Sequence, residues 1–167
     1  MDLSKIERYM IANQLKILEK LYPDEANYYS QHRKAIEEGY ALHYSWIFEH
    51  IMDGLTIDEC KEVLDILDMF RALRDAYERL EDKNIIDFNK IKFIGFDGNY
   101  ETKYLMYATY FIVDLNRYDE LKVKGKYPDF NSHVPMIDKY RSMLSKWKDS
   151  RNKYELSKDD LIRIIEN

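Results

Sequence analysis

Between Thr56 and Leu80 the apolar residues Cys60, Val63, Leu67, Phe70, Leu73, Tyr77 and Leu80 recur at steps of three and four, which places them on one face of an α-helix. Thr56 followed by Glu59 has the spacing of a capping box, so the pattern carries its own start signal. Only five glycines and three prolines punctuate 167 residues, too few for the many tight turns that a sandwich or barrel of short strands needs. The expected class is therefore all-α.

The remaining chain follows the same period. Ser4 and Glu7 form a second capping box, and Leu3, Ile6, Met10, Ile17 and Leu21 follow a helical face over about residues 4–21. Pro23 suits the first turn of a second helix, Asp24 and Glu25 favour its positive end, and Gly39 suits a left-handed stop. The short link between them predicts an antiparallel hairpin, residues 1–39, packed on a multihelical domain, residues 40–167.

Within that second part, Leu42, Tyr44, Trp46, Ile47 and Phe48 predict a third helix buried on several sides and ending near Asp53-Gly54. Lys90 to Phe93 alternates like a short strand, but no second strand is evident, and the segment reads as loop. Asp97 is placed to cap a central aromatic helix bearing Tyr100, Tyr104, Tyr107, Phe111, Leu115 and Tyr118. The stretch from Asp119 to Val134, with Gly125 and Pro128, is expected to be the longest and most mobile connection. Pro135 then opens a helix carrying Tyr140, Leu144 and Trp147, and Ser157 with Asp160 starts a terminal one.

Composition bounds the function by exclusion. A hydrophobic content of 46% and a charged content of 34% suit a globular chain with solvated helix faces. The longest charge-free run, Tyr104 to Val113, falls far short of the ~20 apolar residues that cross a bilayer, and Asp2, Lys5 and Glu7 interrupt any signal-like start. The single Cys60 permits no internal disulfide and is expected to be a small buried apolar residue. A cytoplasmic location without membrane contact follows as the expectation.

Across the chain, Asn13-Gln14, Asp65-Ile66-Leu67-Asp68-Met69 with Ala72-Leu73, Phe93-Ile94-Gly95-Phe96-Asp97 with Glu101 and Tyr104, Pro135-Met136 with Lys139-Tyr140, Met143-Leu144 and Trp147, and Leu156-Ser157 occur in an order that resembles the YfbU family of bacterial proteins. The resemblance covers almost the whole sequence. It implies an all-helical cytosolic protein with an N-terminal helical hairpin against a larger helical domain, and it brings no catalytic residues to transfer.

Chemistry must be weighed from the residues themselves. His32, His43, His50 and His133 lack the i, i+4 pairing of helical zinc ligands, and no Cys-x-x-Cys accompanies them. Gly95 and Gly98 are not followed by Gly-Lys-Ser/Thr, and no Gly-x-Ser-x-Gly elbow is present, so neither a phosphate loop nor that nucleophile is indicated. No cofactor is implied.

Four candidate sites remain, each with two readings. Asp97 and Glu101 could form an acid–base pair in a pocket with Arg117 or Tyr118, but capping and dipole complementation by both is favoured. The fifteen tyrosines could stack single-stranded nucleic acid or form an amphipathic binding patch, yet helical spacing, a net charge of -5 and a pI near 5.4 favour packing, including packing between identical subunits. Lys122, Lys124, Lys126 and Arg117 beside Tyr118 and Tyr127 make a modest basic cluster that could contact nucleic acid, but dilution by Asp119, Glu120 and Asp129 favours a solvated, mobile face. Asn13, with Gln14 beside it, interrupts the apolar seam of the first helix, where a buried amide that sets register or oligomer state is favoured over ligand binding.

The reading that results is a homo-oligomeric or protein-binding module. Asn13, Gln14, Phe96, Asp97, Glu101, Tyr104 and Trp147 are its candidate contact or pocket residues. A small-molecule enzyme and a nucleic-acid-associated regulator are the alternatives.

Overall fold

Three capping boxes set helix starts in the computed structural model, which describes residues 2–166. Ser4 caps α1 (Lys5–Leu21), Thr56 caps α4 (Ile57–Glu78) and Ser157 caps α7 (Lys158–Ile165); each cap hydroxyl accepts the N–H three residues on. Between them lie α2 (Ala26–Glu38), a short α3 (Tyr44–Ile47), α5 (Thr102–Thr109) and α6 (Ile137–Lys148). Among the described residues there are seven α-helices and no strand, only two isolated bridges. The chain is all-α.

Two compact units divide it, residues 1–53 and 54–167. In the first, Pro23–Glu25 forms a single 3-10 turn between α1 and α2, and Gly39 ends α2 at a φ of 79°. Contacts follow a reversal of direction: Tyr22 meets Tyr29 beside the turn, and Arg8 reaches the far end of α2 at Ile36 and Glu37. Ala12, Leu15, Ile36 and Tyr44 make its small core.

The expected third helix is corrected here. Only Tyr44–Ile47 is α-helical, after a 3-10 turn, and Leu42, Trp46 and Ile51 are exposed rather than buried. Too few neighbours exist in this small unit to cover aromatic and aliphatic side chains on every side.

The second unit is organised by α4. Val63, Ile66, Leu67, Met69, Phe70 and Leu73 are all buried, so the helix is enclosed over a wider face than its three-and-four stripe marks, and α5, α6 and α7 pack on it. Cys60 is half-buried near its start, beside the hydroxyl of Tyr107, and so is less enclosed than expected.

The tyrosine-rich helix is not the centre. Beyond Thr109 the chain widens into a π-helical turn over Tyr110–Asp114, with the Leu115 N–H donating to the Tyr110 carbonyl at 3.0 Å and that of Arg117 to Ile112 at 2.9 Å. The added residue per turn rotates the face. Ala108 and Ile112 are buried, whereas Tyr100 and Leu115 are exposed.

The stretch after it is also more fastened than its composition predicts. Asp119–Leu121 is a 3-10 turn, Val123 and Lys126 pair across Gly125, and Phe130 is buried in the core. Apolar anchoring therefore overrides the turn-rich sequence.

Candidate functional site

The densest convergence of backbone and polar groups lies where Gly95 to Glu101 meets Phe130 to Ile137. Gly95 has a φ of +94°, and a Cβ built on it would sit 1.6 Å from the Phe130 carbonyl oxygen. Only glycine satisfies both constraints. Its absent side chain lets the Phe96 N–H donate to the Phe130 carbonyl at 3.0 Å, while the Ser132 N–H donates to the Phe96 carbonyl at 3.1 Å. The two segments are thereby joined as a one-residue parallel bridge between Phe96 and Asn131.

Phe96 drives the clasp from inside. It is fully buried, with ring centroids 5.7 Å from Phe93 and 5.6 Å from both Tyr104 and Tyr140. The Phe93 and Tyr140 rings meet it edge-to-face and the Tyr104 ring is tilted, contacts that add attraction to the burial of their area. Asn131 reinforces the outside, its side-chain oxygen accepting the Gly98 N–H at 3.1 Å and the His133 N–H at 3.0 Å.

Asp97 and Glu101 are both buried, and both turn their oxygens onto backbone donors. Asp97 Oδ1 accepts from Asn99 at 2.7 Å and Tyr100 at 2.8 Å, so it caps the turn preceding α5, which itself begins at Thr102. Glu101 reaches further. One of its oxygens accepts the Asp97 N–H at 2.9 Å, and the other accepts the N–H groups of Met136 and Ile137, each at 2.7 Å. It therefore serves the first turn of α6, thirty-five and thirty-six residues on, rather than the first turn of α5.

A carboxylate at that position meets the positive end of a helix and supplies acceptors that Met136, which has no side-chain cap of its own, lacks. The proposed companions stand elsewhere. The Tyr118 hydroxyl donates to Asp68 at 2.6 Å and its ring lies 3.8 Å under the Arg71 guanidinium; burial, then the Asp68 contact, raises that phenol's pKa. Arg117 is exposed, and its carbonyl accepts from the Tyr127 hydroxyl at 2.9 Å.

Tyr104 and Trp147 flank the same core. The hydroxyl of half-buried Tyr104 accepts from Arg141 at 3.3 Å, and Arg141 also grips Glu62 through two bonds of 2.8 and 2.9 Å. Trp147 is buried, its indole N–H donating to the Lys153 carbonyl at 2.7 Å. Both polar tips are satisfied inside the unit.

Asn13 and Gln14 require a correction of setting. Both are exposed on α1, so Asn13 does not sit buried in the seam of this chain. It borders a groove of the first unit with Tyr9, Arg8 and Ile36. Arg8 was not foreseen as structural, yet it donates to the carbonyls of Ile36 at 2.8 Å and Glu37 at 2.7 Å, capping the end of α2 with a cation.

The basic cluster is partly neutralised from within. Lys122 pairs with Asp119 at 2.6 Å, and the Tyr127 hydroxyl donates to the same carboxylate at 3.0 Å, leaving Arg117, Lys124 and Lys126 as its exposed cations. Among the described residues no group of three or more His, Cys, Asp or Glu is placed to hold a metal ion. No helix among them is long and apolar enough to cross a membrane.

Set against known proteins, residues 1–167 match the model of the YfbU domain. The chain is also 40% identical to the UPF0304 protein MJECS11 of Methanocaldococcus jannaschii over 167 residues, which covers 98% of each chain.

Proposed function

This chain belongs to the YfbU family, and we propose that it is a cytosolic module that works by assembling with copies of itself. The observation that carries the proposal is the apolar imbalance of the first unit. Its core holds Ala12, Leu15, Ile36 and Tyr44, while Ile6, Met10, Ile17, Leu21, Leu42 and Trp46 face solvent. A unit of 53 residues buries too little surface to be robust alone, and oligomerisation is a common remedy.

The contrast with the second unit supports the same reading. There Asp97, Glu101, Tyr104 and Trp147 bind backbone or neighbouring side chains, so the polar groups of the clasp act as architecture. Sedimentation velocity between roughly micromolar and hundred-micromolar chain tests the proposal, spanning the affinities of reversible assemblies. A species heavier than one chain is the expected result; a monomer throughout would refute it.

A further inference from the structure

Helix α1 has two apolar faces. Ala12 and Leu15 are buried in the core of the first unit. At about 100° per residue, Ile6, Met10, Ile17 and Leu21 fall on the opposite side, and they are 74%, 61%, 53% and 65% exposed. A helix with a second apolar stripe is built for a second neighbour.

The order of that stripe identifies the neighbour. Met10 and Ile17 are equidistant from the point between Asn13 and Gln14, and so are Ile6 and Leu21. Such a pattern reads the same from either end. It is complementary to a second α1 running in the opposite direction, which is the requirement of an isologous two-fold contact. We infer that two copies of this chain dock α1 against α1 antiparallel, about an axis passing between Asn13 and Gln14, with Met10 of each beside Ile17 of the other and Ile6 beside Leu21. The inference rests on the self-assembly proposed above and names its surface.

The central amides supply the register. At the axis each Asn13 lies next to its mate along one edge of the seam, and each Gln14 next to its mate along the other, so amide meets amide. Sliding the pair by one turn sets these groups against Met10 or Ile17 without hydrogen-bond partners, which disfavours every other alignment. Size agrees as well. Side chains of this class carry on the order of 150–200 Å² each, so the exposed parts of Ile6, Met10, Ile17 and Leu21 offer roughly 400–500 Å² per copy, which the polar rim around Asn13 and Gln14 extends toward the ~800 Å² of a stable dimer.

Disulfide trapping in the full chain tests the geometry. In a Cys60→Ser background, Met10→Cys and Ile17→Cys chains are oxidised separately and as an equal mixture, since a disulfide forms only where Cβ atoms approach within about 4 Å. The mixture is expected to give at least fivefold more covalent dimer than either chain alone, and all of it as the mixed species. Met10→Cys trapping itself as efficiently would overturn the antiparallel arrangement in favour of a parallel one.

Assembly in sedimentation without any trapping would overturn the α1 contact while leaving self-assembly standing. A monomer would remove both. Because all these side chains are exposed, far-UV circular dichroism should match the parent. As an independent measurement, Ile17→Lys is expected to weaken assembly at least tenfold, whereas Tyr100→Lys on the second unit leaves it unchanged; equal effects would also overturn the assignment.

Discussion

Glu101→Gln isolates the charge of the clasp while keeping its shape. The parent carboxylate satisfies three backbone donors, those of Asp97, Met136 and Ile137. A glutamine oxygen can still accept two of them, but its NH₂ must then face the third N–H, donor against donor. An orphaned buried donor costs about 1–3 kcal/mol, and the two surviving bonds lose charge assistance worth roughly half their strength. The expected loss is about 2–4 kcal/mol, and Glu101→Ala, which orphans all three donors, should lose roughly 3–6 kcal/mol.

Against a typical domain stability of about 5–15 kcal/mol, either change is large. Because the chain has two units, the probe must belong to the second: Trp147 fluorescence in a Trp46→Phe background reports it alone. With a urea slope of about 1–2 kcal/mol per molar, the Gln variant should shift the midpoint down by roughly 1–4 M. Hydrogen exchange should show the Met136 and Ile137 amides losing protection first. Exposed Asp138→Asn on the same helix should change stability by less than ~0.5 kcal/mol. If Glu101→Gln is as stable as the parent, or more so, the carboxylate does not hold α6, and a role kept at the expense of stability, such as acid–base chemistry, regains ground.

Two further outcomes follow from the same geometry. Gly95→Ala places a Cβ 1.6 Å from the Phe130 carbonyl oxygen at a positive φ, so the bridge must open; a loss above about 3 kcal/mol is expected in the same fluorescence assay, and an unshifted midpoint would contradict the close approach. The capping boxes set an acid limit. Glu7 and Asp160 are held below the usual carboxylate range chiefly by the hydroxyls of Ser4 and Ser157, and Glu59 chiefly by the Thr56 N–H. A depressed folded-state pKa contributes stability above the unfolded value, lost as pH falls through the folded one. Stability should therefore decline below about pH 4, and Ser157→Ala, which removes the chief donor to Asp160, should flatten part of that decline; an unchanged acid limb would refute the contribution of that box.

Helix starts were readable because their causes are local. Ser4–Glu7, Thr56–Glu59 and Ser157–Asp160 each close a bond across three residues, and all three occur as their spacing predicts. Gly39 likewise stops α2 by its own φ. Where neighbours decide, the pattern misled. Leu42 and Trp46 look like core residues, but the first unit offers nothing to enclose them; of the aromatic stripe, Tyr100 precedes the helix and Leu115 leaves the core just after a π-helical turn that no spacing announces.

The amino-acid sequence alone determined the helical class, the family resemblance and the capped starts, since periodicity and caps act within a turn or two of chain. Tertiary structure alone decided that Glu101 serves α6, that Gly95 admits the Phe130 backbone, and that α1 keeps an apolar face uncovered. Those facts join residues some thirty positions apart, or depend on what fails to arrive beside a helix. Only the packed chain brings such groups within hydrogen-bond or van der Waals range.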